Sequence, residues 1–318
     1  MSASEPVVLR GLVADWPCTG LAAETLFARL AGYDSGARQG TLIGQAGTAG
    51  RFHYAPDLRG QNYDRVAETI TEGLTRLTSG DHPDGAYIQS VEVAKHLPGF
   101  TADHPMTLVP DGVAPRAWIG TPTTVQTHFD PSENIACVVL GEREVTLFAP
   151  EYLSNLYPGP LETAPGGTMV SLTNLDAPDF DAHPKFKTAF DNRRRVTLRA
   201  GDGLYIPYGW WHHIRATAPF NMLVNYWWTP ANLQLDAPYA AMAHAMLDFK
   251  NMPLPHRRVW ADLFNYFVFN LEDDAMTHIP TELRGVLGGV PAEQMINVIH
   301  DILGVLGPAI GLNPPPRK

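Results

Sequence analysis

Two short segments carry the residues best suited to chemistry. In Thr127-His128-Phe129-Asp130 an imidazole and a carboxylate stand two positions apart in a stretch that reads as extended chain. Extended chain sends the side chains of positions i and i+2 to one face, so His128 and Asp130 can grip one metal ion. A third ligand must come from elsewhere. The segment 201–214 offers a turn at Gly201-Asp202-Gly203, a short strand through Leu204-Tyr205-Ile206 and a bend walled by Trp210 and Trp211, which together deliver His212 or His213. Two histidines and one carboxylate leave positions open on an octahedral metal, which is what non-haem Fe(II) needs to take up a co-substrate and O2. Structural zinc would call for four closed ligands, and soft ones are scarce here. A lone His-x-Asp is common by chance, and Trp210 and Trp211 could be core aromatics with a hydrogen-bonded histidine beside them. Both segments in one chain are much harder to obtain by accident.

Such ligands need a frame. Glycine and proline, 28 of each, punctuate the chain at short intervals. Between them lie β-rich runs at 6–13, 86–91, 117–119, 135–140, 144–148, 195–199, 203–206 and 220–228. Many short strands separated by turn signals predict a mainly β sandwich or barrel. Helical segments are expected at 21–30 and 63–77, the second with Val66, Ile70, Leu74 and Leu77 at helical spacing. After Trp228 the texture turns helical, with Asp236 and Pro238 marking a start and Tyr239, Met242, Met246 and Phe249 on one face. Helices at 256–270 and 291–306 follow, and in the latter Met295, Val298, Ile299, Ile302 and Leu306 form a stripe. That stripe either packs against its own domain or pairs with a second copy in a homodimer. The glycine- and proline-rich segment 307–318 reads as a loose end.

Bulk properties narrow the function classes. At 318 residues, 45% hydrophobic and 18% charged, the chain can build a sizeable core without a partner. A formal net charge of -10 argues against a nucleic-acid surface, which needs clustered Lys and Arg. Arg193-Arg194-Arg195 is the one basic run, and it reads as a solvated strand or loop face. Two cysteines, Cys18 and Cys137, are too few for a disulfide framework, and Cys137 sits in the apolar run 135–140 as a core thiol. No secretory leader and no long apolar span is evident, so a cytoplasmic protein without membrane contact is expected.

At the two ligand-bearing segments the sequence resembles the JmjC-type, cupin-like 2-oxoglutarate oxygenases, in particular the branch of the asparaginyl hydroxylase acting on hypoxia-inducible factor. The resemblance runs from Pro6-Val7-Val8-Leu9-Arg10-Gly11-Leu12 to Trp228 and is strongest over 127–150 and 201–214. It implies a double-stranded β-helix (a cupin-like jelly roll) with N-terminal helices over 1–230, a C-terminal helical region at 231–310 and a flexible tail at 311–318. It assigns Fe(II) to His128, Asp130 and His212, the family's ligand directly following the paired aromatics, and makes His213 a neighbour of the metal shell. Asn134 and Asn225 match amides beside the co-substrate carboxylate at the metal, Tyr87 a hydroxyl on its far carboxylate, and Trp227 an aromatic wall.

Two positions depart from the family pattern. Gly141-Glu142-Arg143 stands where Gly-x-Lys is usual, and a guanidinium can pair bidentately with a carboxylate. Val125 stands where a hydroxyl is usual, with Thr124 and Thr127 nearby. Met222 occupies the place of another branch's arginine, which leaves Arg143 as the anchor and Arg215 in reserve. The implied activity is hydroxylation of a side chain, in a protein or peptide substrate or else a small molecule, with O2 consumed and succinate and CO2 released. Competing readings are an inactive cupin that serves as a metal- or ligand-binding scaffold, and a cupin enzyme that does not use 2-oxoglutarate. The latter generally shows His-x-His before a Glu, and nothing of that form precedes Glu133.

Overall fold

β-Branched and aromatic runs interrupted by Gly and Pro give thirteen strands in the computed structural model, which describes residues 5–161, 163–229, 238–269, 277–284 and 292–311. In chain order they are β1 (Val7–Leu9), β2 (Gln39–Gly44), β3 (Arg51–Phe52), β4 (Tyr63–Glu68), β5 (Ala86–Glu92), β6 (Pro115–Gly120) and β7 (Thr124–His128). There follow β8 (Glu133–Leu140), β9 (Glu142–Phe148), β10 (Arg194–Arg199), β11 (Gly203–Ile206), β12 (Trp211–Ala216) and β13 (Asn221–Trp228). The larger sheet runs β1-β11-β8-β13-β6-β5-β2-β4, and the smaller runs β10-β9-β12-β7-β3. The eight strands from β6 to β13 divide four and four between the sheets, β11-β8-β13-β6 facing β10-β9-β12-β7, which is the jelly roll. The fold is thus mainly β.

Strand β8 shows how the layers form. Ile135, Cys137 and Val139 point away from the smaller sheet into a cluster with helices α1 (Ala23–Tyr33) and α2 (Ile70–Ser79), through Leu26, Leu30, Ile70, Leu74 and Leu77. Val138 points the other way, into a second cluster with Val145, Leu147, Leu198, Ile206 and Trp210. A strand buried on both faces reads as a continuous apolar run rather than an alternating one, as 135–140 does. Both cysteines are buried and unpaired, and burial pushes each thiol up to about 12.

Three expectations change. Residues 63–68 form strand β4, paired with β2, and the helix begins only at Ile70. Thr69 supplies the reason: its hydroxyl accepts from the Glu72 amide while the Glu72 carboxylate accepts from the Thr69 amide, a capping box that starts a helix there and nowhere earlier. Val66, counted as part of the apolar stripe, is exposed on the strand. Residues 211–216, which were not among the expected β-rich runs, form strand β12, so the histidine follows the aromatic bend on a strand. Strands β2 and β3 were not foreseen, because glycines bound one and the other is two residues long.

The chain divides into two compact units, 1–232 and 233–318. In the second, helices Pro238–Phe249, Leu254–Phe264 and Ala292–Leu306 are present, and Ile302 and Leu303 of the last are exposed. The expected end at Asn270 and the tail beyond 311 lie outside the described residues. Among the described residues no helix is long and apolar enough to cross a membrane.

The β8–β9 turn rests on Gly141, with φ +80°. A Cβ there would collide with the Asn221 side chain and lie 2.8 Å from the Phe220 carbonyl oxygen. Gly141→Ala should therefore lower stability by on the order of 1–2 kcal/mol or more, combining left-handed strain with the clash. A urea melt of the variant with an unchanged midpoint would show that the turn is not rigid.

Candidate functional site

The site lies between the sheets, and the pairing of β7 with β12 creates it. These strands run antiparallel with His212 directly opposite His128. Moving away from that pair, Ile214 is opposite Val125, so three steps on β7 match two on β12. Such a bulge adds one residue and turns side chains out of strict alternation. Val125, Gln126 and His128 consequently all line the same cavity.

Asp130 lies just past the end of β7, where Phe129 packs on Trp211 with ring centroids 4.9 Å apart. Its Oδ2 stands 3.5 Å from His212 Nε2. The two imidazoles are 4.3 Å apart between centroids, and the candidate ligand atoms of His128, Asp130 and His212 all fall within 4.8 Å of one another. Each histidine is oriented in the same way: Nδ1 of His128 is 2.8 Å from the Gln126 carbonyl, and Nδ1 of His212 is 3.1 Å from the Trp210 carbonyl. A carbonyl only accepts, so each Nδ1 carries the proton and each Nε2 presents its lone pair. The buried Oδ2 of Asp130 has no hydrogen-bond partner. Two lone pairs and an unanswered carboxylate oxygen around one point fit a divalent metal ion.

Arg143 enters the cavity from β9. It is 1% exposed, and its Nε and Nη2 have no hydrogen-bond partner. Its guanidinium hydrogen-bonds the Tyr87 hydroxyl from the opposite sheet. Burial raises the Tyr87 phenol and lowers the Arg143 guanidinium relative to their ordinary ranges, and the contact between them offsets part of each shift. A fully buried cation with two free donors and no carboxylate beside it is a fitted place for an anion.

The amides are ordered by Trp118. Its Nε1 donates to Asn225 Oδ1 at 2.7 Å, which turns the Asn225 NH2 towards Asn134 Oδ1 at 3.2 Å. Indole N–H only donates, so this orientation follows from the partner. Trp227 meets Trp118 edge-on at 5.7 Å. Leu42, Phe52, Tyr63, Ile214 and Leu223 complete an apolar wall around a cavity of about 120 Å³.

All eight residues expected at the site, His128, Asp130, His212, Tyr87, Asn134, Arg143, Asn225 and Trp227, line this one cavity. Two lesser expectations are corrected. His213 points to the opposite face of β12, into a separate cavity, because neighbours on a strand alternate. Arg215 lies on that outer face too and is held by Glu144 at 2.6 Å, so it cannot stand in for Arg143. Gln126, which also lines the cavity with its buried Oε1 unpartnered, was missed, although its place two residues before His128 was the signal for it.

A family profile described as a cupin-like domain matches residues 1–234. The chain belongs to the cupin-like domain family. Among curated relatives, this cupin-like chain is 28% identical over 185 residues to Jumonji C domain-containing protein 5 of Drosophila melanogaster, covering 55% of this chain and 45% of the relative. Lysine-specific demethylase 8 of Xenopus tropicalis matches at 25% over 236 residues, 71% of this chain and 48% of its own length. The human tRNA wybutosine-synthesizing protein 5 matches at 35% over 102 residues, 32% of this chain and 29% of its own. The cupin-like chain thus spans less than half the length of each of these relatives.

Burial holds His212 down at about 4, reinforced by the neighbouring His128 and opposed by Asp130, and burial holds His213 at about 4 as well. Unfolded histidine titrates near 6.5, so between those values the unfolded chain binds more protons than the folded one. Metal-free protein should therefore lose stability as pH falls from about 6.5 to about 4, by on the order of 3 kcal/mol for His212. Urea melts across that window check it; a flat profile would mean that His212 is not buried neutral.

Proposed function

We propose that this chain is an Fe(II)- and 2-oxoglutarate-dependent oxygenase that hydroxylates a side chain of a protein or peptide substrate. The observation that carries the reading is the buried, unpaired Arg143 guanidinium sharing a cavity with the three converging ligand atoms. A 2-oxo dicarboxylic acid has one end for each feature.

In this reading His128, Asp130 and His212 hold the iron, and the carbonyls on Nδ1 of the two imidazoles keep both rings aimed. Bound there, Fe(II) supplies O2 activation coupled to oxidative decarboxylation of the 2-oxo acid, the hard chemistry of the reaction. The balance is one 2-oxoglutarate, one O2 and one C–H bond consumed, with succinate, CO2 and the hydroxylated product formed. Arg143 takes the distal carboxylate through its Nε and Nη2 donors, and the Tyr87 hydroxyl turns between that carboxylate and the guanidinium. Asn134 and Asn225 present amides to the carboxylate nearer the metal. Val125 offers no hydroxyl, so the fork of Arg143, longer and planar compared with lysine, carries more of the orientation. The apolar wall excludes water from the reacting end.

Asp130 as the carboxylate ligand supports hydroxylation of the asparaginyl-hydroxylase kind over lysine demethylation, for which Glu is common. The acidic chain, at -10, supports a protein or peptide partner over RNA.

Anaerobic addition of Fe(II) and 2-oxoglutarate should produce a weak visible charge-transfer band, and admission of air should release succinate. Iron bound with neither band nor succinate would overturn the reading in favour of a scaffold. Arg143→Ala should weaken 2-oxoglutarate roughly 10- to 100-fold, the scale of a lost charged hydrogen bond, with iron affinity retained. Asp130→Ala should abolish turnover, and full activity in that variant would show that the metal sits elsewhere.

A further inference from the structure

The reverse face of strand β12 opens on a second cavity, of about 200 Å³, unrelated to the first. The helix Phe186–Asp191 stands beside it through Phe190, and Arg193 and Arg195 reach it from the start of β10. Register decides what faces it. Arg195 pairs with Thr146 of β9, and Thr146 pairs with His213 of β12, so these three form one row across three adjacent strands. Adjacent strands lie about 4.8 Å apart, which places the ends of the row about 10 Å apart at the backbone, with the long Arg195 side chain able to reach over Thr146.

We propose that this row, with Arg193 beside it, is a binding site for a phosphate-type oxyanion. Each carboxylate at the cavity is paired with an arginine through one oxygen. Glu144 Oε2 accepts from Arg215 at 2.6 and 3.1 Å, and Asp176 Oδ2 accepts from Arg51 at 2.7 Å. Arg193 is fixed over the Phe190 ring at 3.6 Å and donates to the Phe190 carbonyl, so its charge stays in place without an acidic partner. Arg194, between the two, turns the other way onto Trp210 and Glu5. Lining the cavity beside these ion pairs are two guanidiniums without a carboxylate partner, the Thr146 side chain and His213. That histidine is 2% exposed, and its Nε2 has no hydrogen-bond partner. A buried imidazole nitrogen without a partner calls for one, and Nε2 can serve it as a donor. Donors from Arg193, Arg195, Thr146 and His213, with each carboxylate at the cavity paired to an arginine, suit a tetrahedral anion with three or four oxygens. A metal is the poorer occupant, since among the described residues only His128, Asp130 and His212 bring ligand atoms together for one.

Titration calorimetry on the full chain at low ionic strength, with inorganic phosphate and with glycerol 3-phosphate, tests the site. Wild-type protein should bind at least one of them, and the tighter of the two distinguishes a free ion from a phosphate monoester. Arg195→Ala should weaken binding roughly tenfold or more, the effect of losing a charge-assisted bond. Arg195 is exposed, so that variant should fold, and a matched melting temperature without phosphate verifies it. Thr146→Val should act in the same direction. Arg194→Ala should leave affinity unchanged, and so should Arg143→Ala, which removes the cation of the other cavity. No heat with either compound, equal affinity in wild type and Arg195→Ala, or loss of binding in Arg143→Ala would each overturn the proposal.

Discussion

The antiparallel register of β12 is the constraint on which the rest of the structure depends. On one edge it sets His212 opposite His128, and on the other it sets Ala216 opposite Arg143. A slip of one residue would carry every side chain of the strand to the other face, turning His212 out and His213 in. Six consecutive pairs with β9, from Trp211↔Phe148 to Ala216↔Arg143, hold the strand against such a slip, and Phe129 packed at a tilt on Trp211 ties the β7 end to it. The metal-type ligands and the buried cation are therefore placed by one decision about pairing, not by separate local preferences.

That decision carries a cost. Burying a guanidinium without a carboxylate opposes folding by several kcal/mol, and an unpartnered carboxylate oxygen adds to it. Arg143 Nε and Nη2, Asp130 Oδ2, Gln126 Oε1 and Trp227 Nε1 are all buried without partners, and all five belong to residues lining the same cavity. Other buried polar atoms without partners, such as Thr41 Oγ1 and His104 Nε2, lie elsewhere in the unit, but here a cation and a carboxylate lack partners in one cavity. An unpaired guanidinium and carboxylate oxygen held where Leu42, Phe52 and Leu223 exclude water mark a place where stability is spent on readiness for a charged occupant.

Much of this was legible in the residue order. Runs such as 135–140 and 203–206 are β-branched, apolar and bounded by glycine or charge, and they appear as strands β8 and β11 within a residue or two. The eight cavity residues could be named because the blocks 127–150 and 201–214 resemble a known family, and because a strand alternates. What was not legible has physical reasons. Tyr63 to Val66 carries apolar residues at a spacing that continues into α2, so periodicity alone extends the helix, while the Thr69-Glu72 capping box stops it. Arg215 resembles a reserve anchor until the parity of β12 is known, and parity is counted from His212. The β7 bulge has no glycine to announce it, so the inward turn of both Val125 and His128 is visible only in the pairing.

Adjacent histidines on an extended strand cannot share a function. His212 and His213 are both about 2% exposed and both held neutral by burial, so by composition and environment they are nearly alike. Their difference lies in the partners that the sheet supplies. His212 has its Nδ1 fixed on a carbonyl and its Nε2 turned to Asp130, in a cavity whose remaining charge is Arg143. His213, its Nε2 without a partner, lines a face where arginines from the start of β10 stand and each carboxylate is paired with an arginine. On the proposed roles, one strand presents a lone pair to a cation on one side and, in the row with Arg195 and Thr146, a donor to an anion on the other. The imidazole ring permits both roles, and alternation along the chain assigns them.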